Sequence, residues 1–445
     1  MKRFILVVLT LVIFFASAAG TQAAEYTQPI YSRSAYFVNL NTGRVLFEKE
    51  ADTRMAPASL TKMMTVLLAI EMCDDPENTM VTIPSQSLFT DVIVENGARI
   101  YLQEGEQISV QSLIYATMIK SACDSATALA WYFGDGDVNQ FFDLMNQKAQ
   151  SLGMVNTHFA NAHGLDAEDH YSTARDMAIL TQAALKNETF RDVISNVSYV
   201  LPATNKSAQR TVSYTIGMLD PDNEEDYYPD AFGVKSGYTG NAGRCLSTTA
   251  TRDGQTYLCV VLGANLDQPP AGYGNPNLTY ADSKALYEWA FETYAQTEAV
   301  PDDFSQEVPV VHGKAKTVAA MMQTVTQVLI APDETLTYTY QMNESVEAPV
   351  KAGETVLGTM NVLRDGEVID EVTLVAKESV EALPYPKWLS GLAWFGIHPL
   401  WIILLLLLLI MIVGLYLRYR YVQSVKRKRA ARRARRRKTA APRRL

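Results

Sequence analysis

The chain has 445 residues, 48% hydrophobic and 20% charged, the composition of folded protein at a length too great for one ordinary domain. Its net charge of -9 is unevenly spread: of 39 basic residues, 14 lie in Arg418–Leu445 and 2 in the first three positions, leaving 23 against 48 acidic residues elsewhere. A body near -25 excludes nucleic-acid binding and long-range attraction to anionic lipid for the main part of the chain.

In chain order, Met1-Lys2-Arg3, an apolar stretch from Phe4 to Phe15 and small residues down to Ala23 have the layout of a secretory signal peptide over residues 1–24, with cleavage near Ala23 or Ala24. Ala35–Leu40 and Arg44–Phe47 alternate around Asn41-Thr42-Gly43, a hairpin signal. From Ser59 to Met72 the spacing turns helical, and further helices are expected over Val110–Ile119, Ser125–Phe133, Val138–Leu152 and Ala174–Leu185. Strands return at Gly243–Ala250 and Thr256–Gly263 through an Asp253-Gly254 turn, and a helix over Tyr280–Thr293 closes a unit spanning 25–300. Strands at both ends with helices between predict an α+β domain whose termini share one sheet.

Short alternating segments, among them Leu329–Ala331, Leu336–Tyr340 and Val368–Val375, predict a small all-β domain over 308–383. A linker over 384–399 begins with Pro384-Tyr385-Pro386. Leu400–Leu417 is an 18-residue apolar run without charge, the length of a membrane span, with Trp394, Phe395 and Trp401 as an aromatic edge. The basic tail 418–445 carries no acid, so the positive-inside rule places it in the cytoplasm and everything before the span outside the cell. The tail reads first as a stop-transfer and orientation signal, with anionic headgroups or nucleic acid as other partners for its charge. Of the four cysteines, Cys259 would face Thr248 rather than Cys245 across the Asp253-Gly254 hairpin, so Cys73, Cys123, Cys245 and Cys259 are expected as free thiols.

Three motifs carry chemistry. In Ala58-Ser59-Leu60-Thr61-Lys62 the serine and lysine lie three apart on one helical face, so a Lys made neutral by burial can act as base for the Ser hydroxyl. This is S-x-x-K, weak alone, since a cap and a surface charge give the same letters. Lys235-Ser236-Gly237-Tyr238 matches K-T-G with Ser for Thr: the Lys and hydroxyl can hold a carboxylate, and the glycine lets a substrate backbone lie close. Ser121-Ala122-Cys123 stands between them at a helix boundary.

With these boxes in order, and with Leu152–Phe159, Asn161–Asp166 and His170–Ala174 beside them, the chain resembles the D-alanyl-D-alanine carboxypeptidases among the low-molecular-weight penicillin-binding proteins, the peptidase S11 family. Ala348–Glu354 resembles part of that family's C-terminal domain. The resemblance implies a β-lactamase and penicillin-binding transpeptidase-like fold, and a serine enzyme that removes the terminal D-Ala from peptidoglycan stem pentapeptides. It implies Ser59 as nucleophile, Lys62 as its base and Ser121 as proton relay. Lys235 and Ser236 hold the carboxylate beside Gly237, the backbone N-H groups of Ser59 and Tyr238 form the oxyanion hole, and β-lactams inhibit by acylating Ser59.

One position departs from the family's usual Ser-x-Asn. Cys123 stands where an amide would both donate and accept, a capacity a thiol has only weakly. It is open to three readings: a tolerated substrate-binding variant, an inactive binding relative, or a redox-sensitive site. The competing functions are a β-lactamase, for which no glutamate motif stands between the second and third boxes, and a non-catalytic peptidoglycan-binding sensor or scaffold, for which the tail has no room for a signalling domain. His158, His163 and His170 have no common metal-ligand spacing, and neither metal nor cofactor is expected.

Overall fold

The computed structural model describes residues 11–13, 26–264, 277–299, 304–325, 327–384 and 399–438. The expected cleavage site, most of the linker with Trp394 and Phe395, and the last residues of the tail lie outside them. The chain forms two compact units, one of residues 14–298 with 327–335 and one of 1–13, 299–326 and 336–445.

The strand β1 (Leu11–Ile13) belongs to the second unit. The first unit begins with the hairpin β2 (Ser34–Asn39) and β3 (Val45–Lys49), whose turn is closed by Asn39 Oδ1 accepting from the Asn41 and Thr42 N-H groups. Then follow α1 (Lys62–Glu71), β4 (Met80–Thr82), α2 (Thr90–Val94), β5 (Gln107–Ser109) and α3 (Val110–Ile119). Four helices come next: α4 (Cys123–Phe133), α5 (Val138–Leu152), α6 (Ala174–Leu185) and α7 (Glu188–Ser195). The hairpin β6 (Ser198–Leu201) and β7 (Arg210–Ser213) leads to β8 (Ala231–Thr239), β9 (Gly243–Arg252), β10 (Gln255–Ala264), α8 (Leu278–Thr293) and β11 (Ala295–Glu298).

Five strands make one antiparallel sheet in the order β3-β2-β10-β9-β8, so the sheet's first and last strands in chain order, β2 and β10, are neighbours, as the α+β reading requires. Asp253 and Gly254 both take positive φ, the conformation a two-residue hairpin turn demands, and Cys259 falls opposite Thr248. All four cysteines are free thiols.

β10 is buried on both faces, which is why it reads as a near-continuous apolar run. Leu258, Val260 and Leu262 pack into the helical core, whereas Tyr257, Cys259 and Val261 pack under Leu286 and Tyr287 of α8. Alternation thus puts helices on both sides of the sheet. In the helical layer α1 is buried from Lys62 to Ala69, apolar on every face because α3, α4, α5, α6 and α7 all lie against it.

Helices α3, α5 and α6 occupy the expected spans, and α4 starts two residues earlier, at Cys123. Ser59 does not lie in the helix: it sits in a 3-10 turn, Ala58–Thr61, and the α-helix begins at Lys62. Lys235–Thr239, read as preceding the strand pair, is the end of the edge strand β8.

The second unit carries β12 (Gln306–Val311) and β13 (Thr317–Met322). A further strand, β14 (Gln327–Ile330), corrects the sequence reading. Leu329–Ala331 was expected in the all-β domain, but β14 pairs with β11 in the first unit, where Leu329 and Ala331 join the core beside Tyr294. Arg44 fixes the segment, donating to the Leu329 carbonyl at 2.9 Å and pairing with Glu334. A four-residue apolar run says that it is buried, not against which sheet.

The remaining strands are β15 (Leu336–Met342), β16 (Val346–Glu347), β17 (Val356–Arg364) and β18 (Glu367–Ala376). The sheet runs β1-β15-β17-β18-β13-β12-β16, with Leu357, Met360, Val362 and Leu374 fully buried. The last helix, α9 (Pro399–Lys438), is the only described helix long and apolar enough to cross a membrane, and it continues without a break from the apolar run into the basic stretch.

Candidate active site

The turn before α1 is held in an unfavourable shape. Ala58 takes φ +48, a left-handed conformation rare for a residue with a Cβ. Thr61 Oγ1 donates to the Ala58 carbonyl at 2.9 Å and lies 2.8 Å from His170 Nε2. His170 Nδ1 accepts from the Ala160 N-H, so Nε2 carries the proton, and burial pushes this imidazole down to about 3. Gly164 completes the clamp: a Cβ there would stand 1.9 Å from the Ala58 oxygen.

The turn presents Ser59 to Lys62. Lys62 Nζ lies 2.8 Å from Ser59 Oγ, 2.5 Å from the His163 carbonyl oxygen and 3.4 Å from Cys123 Sγ. Burial lowers the Lys62 pKa, against the smaller opposing pull of Cys123 and Asp124. The His163 carbonyl can only accept from the amine and the Cys123 sulfur accepts weakly, while the Ser59 hydroxyl can accept from it or donate to it.

Ser121 and Cys123 reach the same place from another direction. Ser121, at φ +60, joins α3 to α4, lines the cleft, and its hydroxyl makes no hydrogen bond among the described residues. The Cys123 N-H donates to the Ala98 carbonyl at 2.7 Å. Buried Asp124, missed in the sequence, ties down the rest of that loop by accepting from the N-H groups of Ile100 and Leu102 at 3.1 Å. Burial raises the Asp124 pKa, opposed by these same N-H donors. Gly97 passes so close that a Cβ there would lie 3.1 Å from Cys123 Sγ.

The third wall is the free edge of β8. Lys235 is buried, donates to the Ser236 carbonyl at 2.7 Å, and has a pKa pushed well down by burial and by the charge of Lys62. Ser236 Oγ shares a 3.0 Å hydrogen bond with Thr215. Gly237 is required for a reason other than the one inferred from sequence: a Cβ would lie 2.8 Å from the Ser59 nitrogen, so the glycine lets the strand close on the Ser59 turn itself.

Tyr238 is exposed, and the Arg244 guanidinium sits 5.7 Å from its ring centroid. Arg244 forms no ion pair among the described residues, and its Nε is buried without a partner. No motif pointed to Arg244. Only the register that sets Arg244 opposite Tyr238 brings it to the cleft.

These groups border an open cleft of about 510 Å³ that brings together Ser59, Ser121, Cys123, Ser236, Gly237 and Tyr238, with both lysines buried behind it. The three histidines are engaged elsewhere: His158 Nδ1 with the Asp169 carbonyl, His163 Nε2 with Asp91, and His170 as described. Among the described residues no three His, Cys, Asp or Glu side chains gather as metal ligands do.

Residues 20–266 match the sequence family described as D-alanyl-D-alanine carboxypeptidase, and residues 291–382 match the C-terminal domain of penicillin-binding protein 5. The chain is 30% identical over 401 residues to the D-alanyl-D-alanine carboxypeptidase DacF of Bacillus subtilis, covering 88% of this chain and 97% of that protein. It is 30% identical over 361 residues to DacA of Escherichia coli, covering 79% and 84%.

Among solved structures, penicillin binding protein 5 from Haemophilus influenzae aligns with a TM-score of 0.62 at 25% identity, over 80% of this chain and 99% of that one. The Streptomyces K15 DD-transpeptidase aligns at 0.53 and 31%, over 60% and 100%. Solved variants of that enzyme include serine-to-alanine and cysteine-to-alanine replacements two positions apart, the spacing of Ser121 and Cys123, and an arginine-to-leucine replacement.

Proposed function

Because the chain belongs to the D-alanyl-D-alanine carboxypeptidases of the peptidase S11 family, and is therefore a serine-type carboxypeptidase of the penicillin-binding fold, we propose that its reaction runs on Ser59 in the cleft described above. The observation that carries this is the 2.8 Å hydrogen bond between Ser59 Oγ and the Lys62 amine, which is buried and whose pKa burial lowers.

Ser59 attacks the carbonyl of the penultimate D-Ala while Lys62 takes its proton. The N-H groups of Ser59 and Tyr238 receive the oxyanion. Ser121 passes the proton from Lys62 to the leaving amine, D-Ala departs, and water releases the acyl group.

Lys235, Ser236 and Arg244 hold the terminal carboxylate. Burial and Lys62 disfavour a charge on Lys235 in the empty cleft, and an arriving carboxylate supplies the counter-charge that favours it. Cys123 lines the acyl side in place of an amide, and its thiol leaves the positioning of the peptide to β8. β-Lactams acylate the same serine.

The apolar helix α9 points to a membrane anchor. We infer further that residues 1–24 are removed on export, that both globular units lie outside the cell, and that the basic end of α9 is cytoplasmic. Protease added to intact cells, digesting the globular units while sparing a C-terminal tag, tests this orientation; digestion of the tag alone reverses it.

The function itself is tested by D-Ala release from a stem pentapeptide and by labelling with fluorescent penicillin, with Ser59→Ala as control. Release by the wild type and neither signal from Ser59→Ala is expected. Labelling without release would instead favour a penicillin-binding sensor.

A further inference from the structure

The wall that carries Ser121 and Cys123 is held from outside the cleft as well as from within it. Residues 95–98 line the cleft, and the chain runs on from them to β5. On the inner side the Ile100 N-H donates to Asp124, and the Ala98 carbonyl accepts from the Cys123 N-H. On the outer side lies the hairpin of β6 and β7. Its Arg210 donates from Nη1 to the Ile100 carbonyl at 2.6 Å and from Nη2 to Glu106 at 2.8 Å. The N-H and the carbonyl of Ile100 are thus gripped by two side chains of opposite charge, 24 and 110 positions away in the chain.

The Glu106 side chain has no exposed surface, and its partners come from both segments: Arg210 and the Thr204 hydroxyl from the hairpin, the Gln103 N-H from its own loop. Asn205, at the exposed tip of the hairpin, adds two bonds at 2.8 Å, accepting from the Gln107 N-H and donating to the Gly105 carbonyl. At the base of the hairpin the Tyr199 ring stacks on Tyr115 of α3 with centroids 3.9 Å apart, and α3 leads directly to Ser121. The hairpin is therefore fastened to both segments that meet at Ser121-Ala122-Cys123.

We propose that Arg210 is a positioning residue for the reaction: through Ile100 it fixes residues 95–98, and with them the placement of Ser121 and Cys123. A buried ion pair adds little net stability over apolar packing, so the worth of this one lies in the single geometry it permits. A guanidinium is needed because its fork reaches the Ile100 carbonyl and Glu106 at once, which a single ammonium does not. The role rests on the carboxypeptidase reading, in which Ser121 passes a proton to the leaving amine. Arg210 touches no reacting group, and its loss leaves Ser59 and Lys62 in place while displacing the relay.

The test is Arg210→Lys in the full-length protein in detergent, which keeps a cation for Glu106 and gives up the second bond. For D-Ala release from a stem pentapeptide, kcat should fall by about tenfold, as for one lost hydrogen bond to a charged group. KM and acylation by penicillin should change less. A direct reporter of the wall is Cys123 itself, which is 3% exposed and covered by Gly97. Once residues 95–98 are released, iodoacetamide should alkylate Cys123 faster than in the wild type, read by mass spectrometry of the digested protein. Cys259, buried between the sheet and α8, should stay unmodified.

Asn205→Ala loosens the same strap from the surface without burying a lone charge, and should move both readouts in the same direction by less. Unchanged kcat and unchanged Cys123 alkylation in both variants would overturn the role and leave the function standing. So would alkylation of Cys123 and Cys259 together with a lowered melting temperature, the mark of general loosening. A wild type that neither labels with penicillin nor releases D-Ala would overturn the function and the role with it.

Discussion

Ser59 and Lys62 meet within a single turn of backbone, three residues apart, whereas Cys123 faces the same amine from 61 positions away. The first pair is fixed by helical spacing once the turn forms. The second depends on a chain of separate anchors: Asp124 holding the 100–102 segment, the Cys123 N-H on Ala98, and Ser121 in a left-handed conformation. Changes on the nucleophile side should therefore strike the chemistry, and changes on the other two walls should strike positioning, leaving acylation by a preformed β-lactam less affected.

The largest expected effect is at the base. Lys62→Ala should lower the acylation rate by roughly 10²- to 10⁴-fold, the usual contribution of a positioned proton acceptor. It should also flatten the acid side of the pH profile. In the wild type, burial lowers the Lys62 pKa, so the amine is neutral above that value and acylation falls as pH drops through it. Stopped-flow labelling with a fluorescent penicillin across pH reads both. An unchanged acid limb in Lys62→Ala would assign it to another group.

Next comes the clamp beneath the nucleophile. Gly164→Ala brings a methyl to 1.9 Å from the Ala58 oxygen at a backbone φ of +84. Thermal unfolding should show a loss of about 2–4 kcal/mol, in the range for forced backbone strain and overpacking, and penicillin labelling should fall with it. Normal labelling and melting would show that the turn relaxes without harm.

On the far walls the effects should be smaller and differently distributed. Arg244→Leu should raise KM for a peptide ending in a free carboxylate by about tenfold, the worth of one charge-assisted hydrogen bond, with a lesser change in kcat. A fall confined to kcat would place Arg244 in the chemistry instead of in carboxylate binding. The smallest change is expected from Cys123→Asn, which should leave penicillin acylation intact or make it faster. A large loss would mean that the Cys123 thiol, 3.4 Å from Lys62, is needed to hold the base.

How much of this could be read in the sequence followed the range of the interactions involved. α3, α5 and α6 were legible because ten to fifteen residues of periodic burial leave little ambiguity. α7, though it buries Phe190, Val193 and Ile194, spans only eight residues, too short a window for the same signal. β4 and β5 are three-residue strands separated by residues 83–106, and β6 and β7 are four-residue strands whose hairpin loop, residues 202–209, is longer than the short turns that mark a hairpin in sequence. In the site, Ser59, Lys62, Ser121, Lys235 and Ser236 were found by motif. Asp124 and Arg244 were not, since an acid after a cysteine and an arginine after a glycine mean nothing until a loop or a strand register gives them neighbours.

By itself the sequence determined the local geometry: the Ser59–Lys62 spacing, the turns at Asn41-Thr42-Gly43 and Asp253-Gly254, the pairing of Cys259 with Thr248 that leaves thiols free, and an apolar run of spanning length. These depend on backbone period and turn conformation, which neighbouring residues set. The tertiary structure alone decided that β14 completes the first unit, that Gly237 is needed so that β8 can close on Ser59, that Asp124 anchors the loop facing Cys123, and that Arg244 stands beside Tyr238 at the edge of the cleft. Each of these is a contact between segments far apart in the chain, where burial and close approach, and not propensity, choose the partner.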